Sequence, residues 1–180
     1  MAHRIPIVGV MGSGTSDHAE RASPLGRWLA QRGVHLLTGG GDGVMAAVSR
    51  AFHESPGRRG MVIGILPCEE NSIHPKAGYP NEWVELPIYT HLPLSGIRGR
   101  DPMSRNHINV LTSDVIIALP GGAGTASEAA LALSYNRPIV AYLDRREEIQ
   151  GLSDDVPVRS SLDEVREFVE SALESGMARR

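Results

Sequence analysis

A glycine-rich turn directly after an apolar run is the feature that most constrains the fold of this chain. The run at positions 114–119 leads into Pro-Gly-Gly-Ala-Gly-Thr-Ala-Ser-Glu at positions 120–128. This order predicts a buried strand, a tight turn and a helix. Because the first amides of a helix have no intrahelical acceptor and carry the positive end of the helix dipole, the turn predicts a phosphate site. We expect Glu128 in the first turn of that helix, where a carboxylate beside an anion suggests chemistry as well as binding.

Short apolar runs alternate with segments of helical spacing along the chain. We expect strands at 5–10, 34–37, 61–66, 83–86, 115–119 and 139–143, and helices near 17–32, 44–55, 103–112, 125–135 and 162–175. Ser161-Leu-Asp-Glu164 has the pattern of a capping box for the last helix. The alternation predicts an α/β fold, a Rossmann-like doubly wound parallel sheet flanked by helices. A length of 180 residues fits one domain over 1–180, with 176–180 as a flexible tail.

Three glycine clusters follow predicted strands, at 12–14, 39–43 and 121–124. In an open α/β sheet the ligand crevice lies beyond the carboxyl ends of the strands, so we expect the clusters at one edge. The glycine-rich run at 39–43 indicates a close backbone approach, either of a ligand or of another glycine loop. Outside the last cluster, the expected ligand contacts are Gly12, Ser13, Gly39, Gly40 and Gly41. Ser13 and Asp42 fit helix caps equally well.

Composition and motif spacing exclude several function classes. A net charge of −3 and an aromatic content of 4% argue against nucleic-acid binding. The chain has neither the G-x-G-x-x-G dinucleotide fingerprint nor a P-loop, and its histidines lack metal-ligand spacing, so we expect no metal. We expect no membrane contact, since no apolar stretch approaches about 20 residues. An N-terminus without an apolar signal region favours the cytoplasm.

Arg105 is a second candidate site residue. It lies near the start of the helix predicted at 103–112, which runs into the strand before the 121–124 turn. From there a guanidinium group reaches the strand-end crevice, and its planar fork suits a phosphate or a sugar. The alternative is a surface arginine paired with Glu128 or Asp101.

The glycine motifs resemble those of a known family. The run Gly-Gly-Gly-Asp-Gly-Val-Met at 39–45, followed by a complete P-G-G-x-G-T-x-x-E hallmark at 120–128, is similar to the LOG-type superfamily. Members of this superfamily are often mislabelled as lysine decarboxylases. The likeness covers about residues 5–143 and implies a Rossmann-like fold. It also implies release of the base from a nucleoside 5′-monophosphate, typically a cytokinin riboside monophosphate.

The resemblance implies a role for each residue of the motifs. Glu128 corresponds to the catalytic carboxylate, and Arg105 to the arginine of the family's M-x-x-R-K element. The 5′-phosphate is expected on Gly121, Gly122, Gly124 and Thr125. A lysine decarboxylase is not expected, because Lys76 is the one lysine of the chain and lies in a loop. No cofactor is expected either.

Two departures from the family pattern keep a second function open. The family's Arg-Lys is Arg105-Asn106 here, and the M-x-x-R spacing is shortened to Met103-Ser104-Arg105. Arg-Asn resembles the branch of molybdenum cofactor carrier proteins, which implies binding of a phosphorylated pterin. The chain is therefore expected either to hydrolyse a nucleoside monophosphate or to act as a non-catalytic carrier or nucleotide sensor. In both cases the partner is a small phosphorylated ligand.

The helix predicted at 125–135 favours self-association. It is apolar around most of its circumference, through Ala129, Ala130, Leu131, Ala132 and Leu133. The expected assembly is a homodimer or a higher homo-oligomer, which is also the habit of the family. Burial of the helix against the protein's own sheet is the alternative.

Overall fold

A seven-stranded, fully parallel sheet runs through residues 4–178, the part of the chain that the computed structural model describes. Its strands are β1 (Ile7–Met11), β2 (His35–Thr38), β3 (Val62–Leu66), β4 (Leu86–Tyr89), β5 (Val115–Ala118), β6 (Ile139–Tyr142) and β7 (Val158–Arg159). The α-helices are α1 (Ala19–Arg32), α2 (Val44–His53), α3 (Asn106–Thr112), α4 (Ala123–Ser134) and α5 (Leu162–Ala178). Short 3-10 turns lie at Gly96–Arg98 and Arg146–Glu148. This architecture confirms the predicted Rossmann-like doubly wound fold.

The order of the strands puts the switch point of the sheet between β1 and β5. In space the order is β4-β3-β2-β1-β5-β6-β7, so the chain winds outward from β1 and later returns to β5 on the other side. Gly9 of β1 lies opposite Leu37 of β2 and Ile116 of β5. Because the connections leave β1 and β5 in opposite directions, this edge is the switch point of the sheet, the place where open α/β sheets bind their ligands.

Helices cover the apolar strands on both faces. On one face α1, α2 and α5 pack around residues such as Val10 and Ile117. On the other face α3 and α4 pack around Ile116 and Ala118. Successive residues of β5 alternate between the two cores, which explains why this strand is apolar at every position. No helix within residues 4–178 is both long enough and apolar enough to cross a membrane.

Some element boundaries differ from those expected. The strand predicted at 83–86 is wrong, since the edge strand β4 begins only at Leu86. Glu85 fixes this start, because its backbone N–H donates to the Val62 carbonyl while its carboxylate accepts the Val62 N–H. α3 begins at Asn106 instead of near 103, after a series of turns. The two residues of β7 are too few to show a periodicity.

The last helix extends further than expected. The Glu164 N–H donates to Ser161 Oγ (3.3 Å) and the Ser161 N–H donates to Glu164 Oε2 (3.1 Å), which confirms the capping box. The helix then continues to Ala178. The tail expected at 176–180 thus begins inside the helix, and its flexibility stays a prediction. Its remaining part, 179–180, lies outside the described residues.

Candidate functional site

The three glycine loops meet at the carboxyl edge of the sheet. The N–H of Ser13 donates to the carbonyl of Pro120 (3.0 Å), and the N–H of Val44 donates to the carbonyl of Ser13 (2.9 Å). Gly43 has a φ of 63°, and a side chain there would collide with the backbone of residues 13–16. The loop after β1 is therefore held between the loops after β2 and β5.

Close packing within the protein accounts for part of the glycine run at 39–43. Gly43 makes room for another glycine loop, which is one of the two alternatives considered for this run. A Cβ on Gly41 would approach the Tyr79 ring to 3.0 Å. A Cβ on Gly40 would likewise collide with the Leu66 side chain, and a Cβ on Gly12 would collide with the Val44 side chain. Ligand contact of Gly12, Gly40 and Gly41 stays a prediction.

Neither of the helix caps considered for Asp42 and Ser13 forms. Asp42 is exposed, and the residue before α2 is Gly43, which has no side-chain capping bond. Ser13 Oγ accepts the N–H groups of Thr15 (3.1 Å) and Ser16 (3.0 Å), so it shapes its own loop instead of capping α1. A ligand role for Ser13 stays a prediction.

The N-terminus of α4 is open toward the same edge. The helix begins after Gly122, and no side chain within residues 4–178 caps it. A Cβ on Gly122 would meet nothing within 4 Å, whereas Gly121 is packed against the Thr125 hydroxyl and the Ser13 backbone. A cavity of about 620 Å³ lies beside Gly121 and Gly122. The first amides of α4 thus have no capping side chain among the described residues and lie at the positive end of the dipole, an arrangement that suits phosphate.

Arg105 and Glu128 form a buried ion pair beside these loops. Glu128 lies in the second turn of α4 instead of the expected first turn, because the helix begins at Ala123. Arg105 immediately precedes α3, and its Nη1 lies 3.4 Å from Glu128 Oε1. The alternative considered for Arg105 is therefore right in its pairing with Glu128 and wrong in its surface location, since the two residues are 5% and 7% exposed. Asp101, the other partner considered for Arg105, pairs with Arg98.

Asn109 belongs to this site, although the sequence pattern did not identify it. It is fully buried, and its Nδ2 donates to Glu128 Oε1 at 2.8 Å. Asn109 follows Arg105 by four residues, a spacing that puts both side chains on one face of α3. That spacing is the signal in the sequence that identifies it.

Gly39 determines where the Arg105 guanidinium lies. The guanidinium occupies the space that a side chain at 39 would fill, with its Cζ 2.7 Å from the ideal Cβ position. The loop after β2 and the Arg105–Glu128 pair are therefore one packed unit. A larger residue at 39 displaces the guanidinium and not the backbone, because the guanidinium is the end of a flexible side chain.

Burial dominates the electrostatics of Glu128. Removal from water raises the pKa of Glu128, while the Arg105 charge and the Asn109 hydrogen bond oppose the rise. Both donors reach Oε1, and residues 4–178 provide no hydrogen bond to Oε2. Oε2 is therefore the oxygen of this carboxylate that has no donor among these residues.

Sequence comparison connects the chain to LOG-type proteins. The model of the SLOG cluster4 family matches residues 5–169. The cytokinin riboside 5′-monophosphate phosphoribohydrolase LOG of Oryza sativa subsp. japonica is 34% identical over 122 residues, which are 67% of this chain and 43% of the rice protein. The chain thus spans less than half the length of this relative.

Solved structures of molybdenum cofactor proteins match nearly the whole chain. The Moco carrier protein from Chlamydomonas reinhardtii is 31% identical with a TM-score of 0.73, over 96% of this chain and 99% of that one. The molybdenum cofactor binding protein from Rippkaea orientalis is 35% identical with a TM-score of 0.73, over the same shares. With the family match over residues 5–169, the chain belongs to the SLOG cluster4 family, within the LOG-type superfamily and near the molybdenum cofactor carrier proteins.

Proposed function

We propose that the protein hydrolyses the N-glycosidic bond of a nucleoside 5′-monophosphate and releases the free base. One observation carries this proposal: the carboxylate of Glu128 is buried near an open helix N-terminus and keeps one oxygen without a protein donor. A protein that only binds an anion gains nothing from a buried negative charge nearby, because the charge repels the ligand and loses its hydration. Cleavage of the bond, by contrast, develops positive charge on the ribose, which a carboxylate stabilises.

The glycine loops hold the phosphate of the substrate in this proposal. The donors are the first amides of α4 and the Thr125 hydroxyl, in the segment formed by Gly121, Gly122, Gly124 and Thr125. The loops with Gly12, Ser13 and Gly39–Gly41 form the remaining wall of the crevice. A phosphate anchored at one end of the ribose fixes the position of the other end, which lowers the entropic part of the barrier.

The reaction balances with water as the second substrate. A water oxygen forms the new bond to the anomeric carbon of the ribose, and one water proton passes to Glu128 Oε2. The bond between that carbon and the base nitrogen breaks, and its electron pair stays on the nitrogen. The proton on Glu128 then neutralises the base, so the products are the free base and ribose 5-phosphate. Arg105 counters the charge of the carboxylate between turnovers.

Incubation with a panel of nucleoside 5′-monophosphates, followed by chromatography of the free bases, tests this function. We expect release of a base from at least one member and none from the corresponding nucleoside without phosphate. Absence of release across the whole panel would contradict the proposal. The rice relative, which carries the name of such a phosphoribohydrolase, supports the choice of substrate class.

A second candidate is a carrier of molybdenum cofactor that performs no catalysis. The observation that favours it is the match with two molybdenum cofactor proteins over nearly the whole chain. Asn106, which stands where the family has a lysine, also favours the carrier function. Tight binding of a phosphorylated pterin, together with no base release across the panel, would favour this candidate.

Gly39→Ala is expected to keep the fold and lower base release. The added Cβ occupies the place of the Arg105 guanidinium, which must then leave Glu128. We expect kcat to fall by about tenfold to a hundredfold, the usual effect of displacing one charged group in a site. The measurement is the rate of base release together with the melting temperature. Gly176→Ala is the matched control, because its Cβ would meet nothing within 4 Å and it lies on α5, outside the glycine loops. Equal rates in both variants would contradict the role of Gly39.

We also propose that the protein acts in the cytoplasm as a homodimer or a higher homo-oligomer. α4 does not support this, because Ala129, Leu131 and Ala132 are buried in the protein's own core. The support comes from apolar side chains exposed around α3 and α4, which are Ile97, Met103, Leu111 and Tyr135. We expect Leu111→Asp to shift the assembly toward the monomer in light scattering. A monomeric wild type would contradict the proposal.

A further inference from the structure

We propose that Asn109 is a positioning residue, which fixes the carboxylate of Glu128 and leaves Oε2 as the reacting oxygen. The inference rests on the proposed hydrolysis, because it assigns Asn109 a task in that reaction. Asn109 does not touch the substrate in this proposal. It acts through Glu128.

The contact with Asn109 is the shorter of the two that Glu128 receives. Asn109 Nδ2 lies 2.8 Å from Oε1, whereas Arg105 Nη1 lies 3.4 Å from the same atom. The first distance is ideal for a hydrogen bond and the second is near its upper limit. The neutral amide therefore determines the orientation of the carboxylate, and the guanidinium contributes mainly its charge.

Packing alone does not explain why an asparagine occupies position 109. Its Oδ1 is buried and finds no hydrogen-bond partner among residues 4–178, and the same is true of Arg105 Nε. A buried polar atom without a partner lowers stability, and a leucine of similar volume would avoid this loss. The one side-chain bond of Asn109 goes to the carboxylate. A buried polar side chain that lowers stability but binds one acidic group is typical of functional sites.

The backbone around Asn109 is fixed against the sheet. The Ser113 hydroxyl donates to the Asn109 carbonyl at 2.8 Å. Ser113 in turn packs against Gly9 of β1, where a side chain would overlap its hydroxyl. Asn109 therefore holds Glu128 from a rigid element, which preorganises the carboxylate before substrate binds.

Few other charged groups act on Glu128. α3 contributes Arg105, and β5 carries no titratable residue. Tyr142 of β6 lies in the core on the opposite face of the sheet. Among the titratable groups of neighbouring elements, Arg98 bonds with Asp101 and His107 bonds with Tyr135, while Arg137 donates to the Leu111 carbonyl. Arg105 and Asn109 are thus the groups within residues 4–178 that oppose the effect of burial and lower the pKa of Glu128.

Asn109→Leu tests the proposal through the pH dependence of base release. Ionised Glu128 is the active form, so activity falls as the pH drops through the pKa of this carboxyl. Loss of the hydrogen bond favours the protonated form, and the acid limb of kcat/KM is expected to move to higher pH. We expect the acid limb of the variant to lie about one pH unit above that of the wild type, the low end for loss of a hydrogen bond to a charged group. Thr112→Val, at the end of the same helix, is the control with an unchanged profile.

Two further measurements keep the test decisive. Asn109→Asp preserves the shape of the side chain and replaces the donor by an acceptor, so its acid limb should move further in the same direction even if the leucine variant folds poorly. Carbon-13 NMR of labelled glutamate, with Glu128→Gln for assignment, follows the titration of Glu128 without substrate. A higher pKa of Glu128 in Asn109→Leu than in the wild type supports the role of Asn109, even when the wild type releases no base. Absence of base release would contradict only the proposed hydrolysis. An unchanged titration, or a rate loss equal at every pH, would overturn the proposal.

Discussion

Glu128→Gln is expected to lower kcat for base release by about 10³-fold while nucleotide binding persists. Glutamine keeps the shape of the side chain and an oxygen that accepts the bonds from Arg105 and Asn109. It cannot carry the negative charge that stabilises the ribose or take a proton from water. Chromatography of the free base measures the rate, and calorimetry measures the affinity for the nucleotide.

Glu170→Gln is the matched control for this substitution. Glu170 lies on α5 and pairs with Arg32 of α1 at 2.7 Å, away from the glycine edge. We expect its turnover to equal that of the wild type. Unchanged turnover in Glu128→Gln would remove Glu128 from the reaction.

Gly122→Val is expected to weaken phosphate binding by about a hundredfold, since it costs one or two charge-assisted hydrogen bonds. The extra side chain extends into open space beside the first amides of α4, so it obstructs the ligand without straining the fold. We expect an unchanged melting temperature and a large loss of affinity for inorganic phosphate and for nucleoside monophosphates alike. Calorimetric titration with both ligands is the measurement.

Gly176→Val is the control that separates the loss of phosphate affinity at Gly122 from any general effect of replacing a glycine by valine. A side chain at Gly176 also meets nothing within 4 Å, and this residue lies near the end of α5. Its affinity for phosphate should be that of the wild type. Full affinity in Gly122→Val would mean that the turn has only a structural role.

The strands in the centre of the sheet could be predicted because their burial is visible in the sequence. β5 is covered by helices on both faces, so it reads as a continuous apolar run. The edge strand β4 is exposed or half-buried along its length, so its residues show no such run. Its start depends on the bonds between Glu85 and Val62, which are 23 residues apart in the chain.

The site could be predicted only as far as its local motifs reach. The turn at 121–124 and its position at the end of β5 follow from neighbouring residues in the chain. The burial of Arg105 with Glu128 does not, because it depends on the packing of α3 against α4 and on the space left by Gly39. The bond from Asn109 to Glu128 spans 19 positions, so the spacing of Asn109 four residues after Arg105 indicates a shared helix face but does not identify Glu128 as the partner.

A crystal structure of the Glu128→Gln variant with adenosine 5′-monophosphate would test the central claim most directly. We expect the phosphate oxygens within hydrogen-bonding distance of the first backbone amides of α4, beside Gly122. We expect the anomeric carbon of the ribose to face the side chain at position 128. A nucleotide bound elsewhere on the protein, with the glycine edge left empty, would contradict the account.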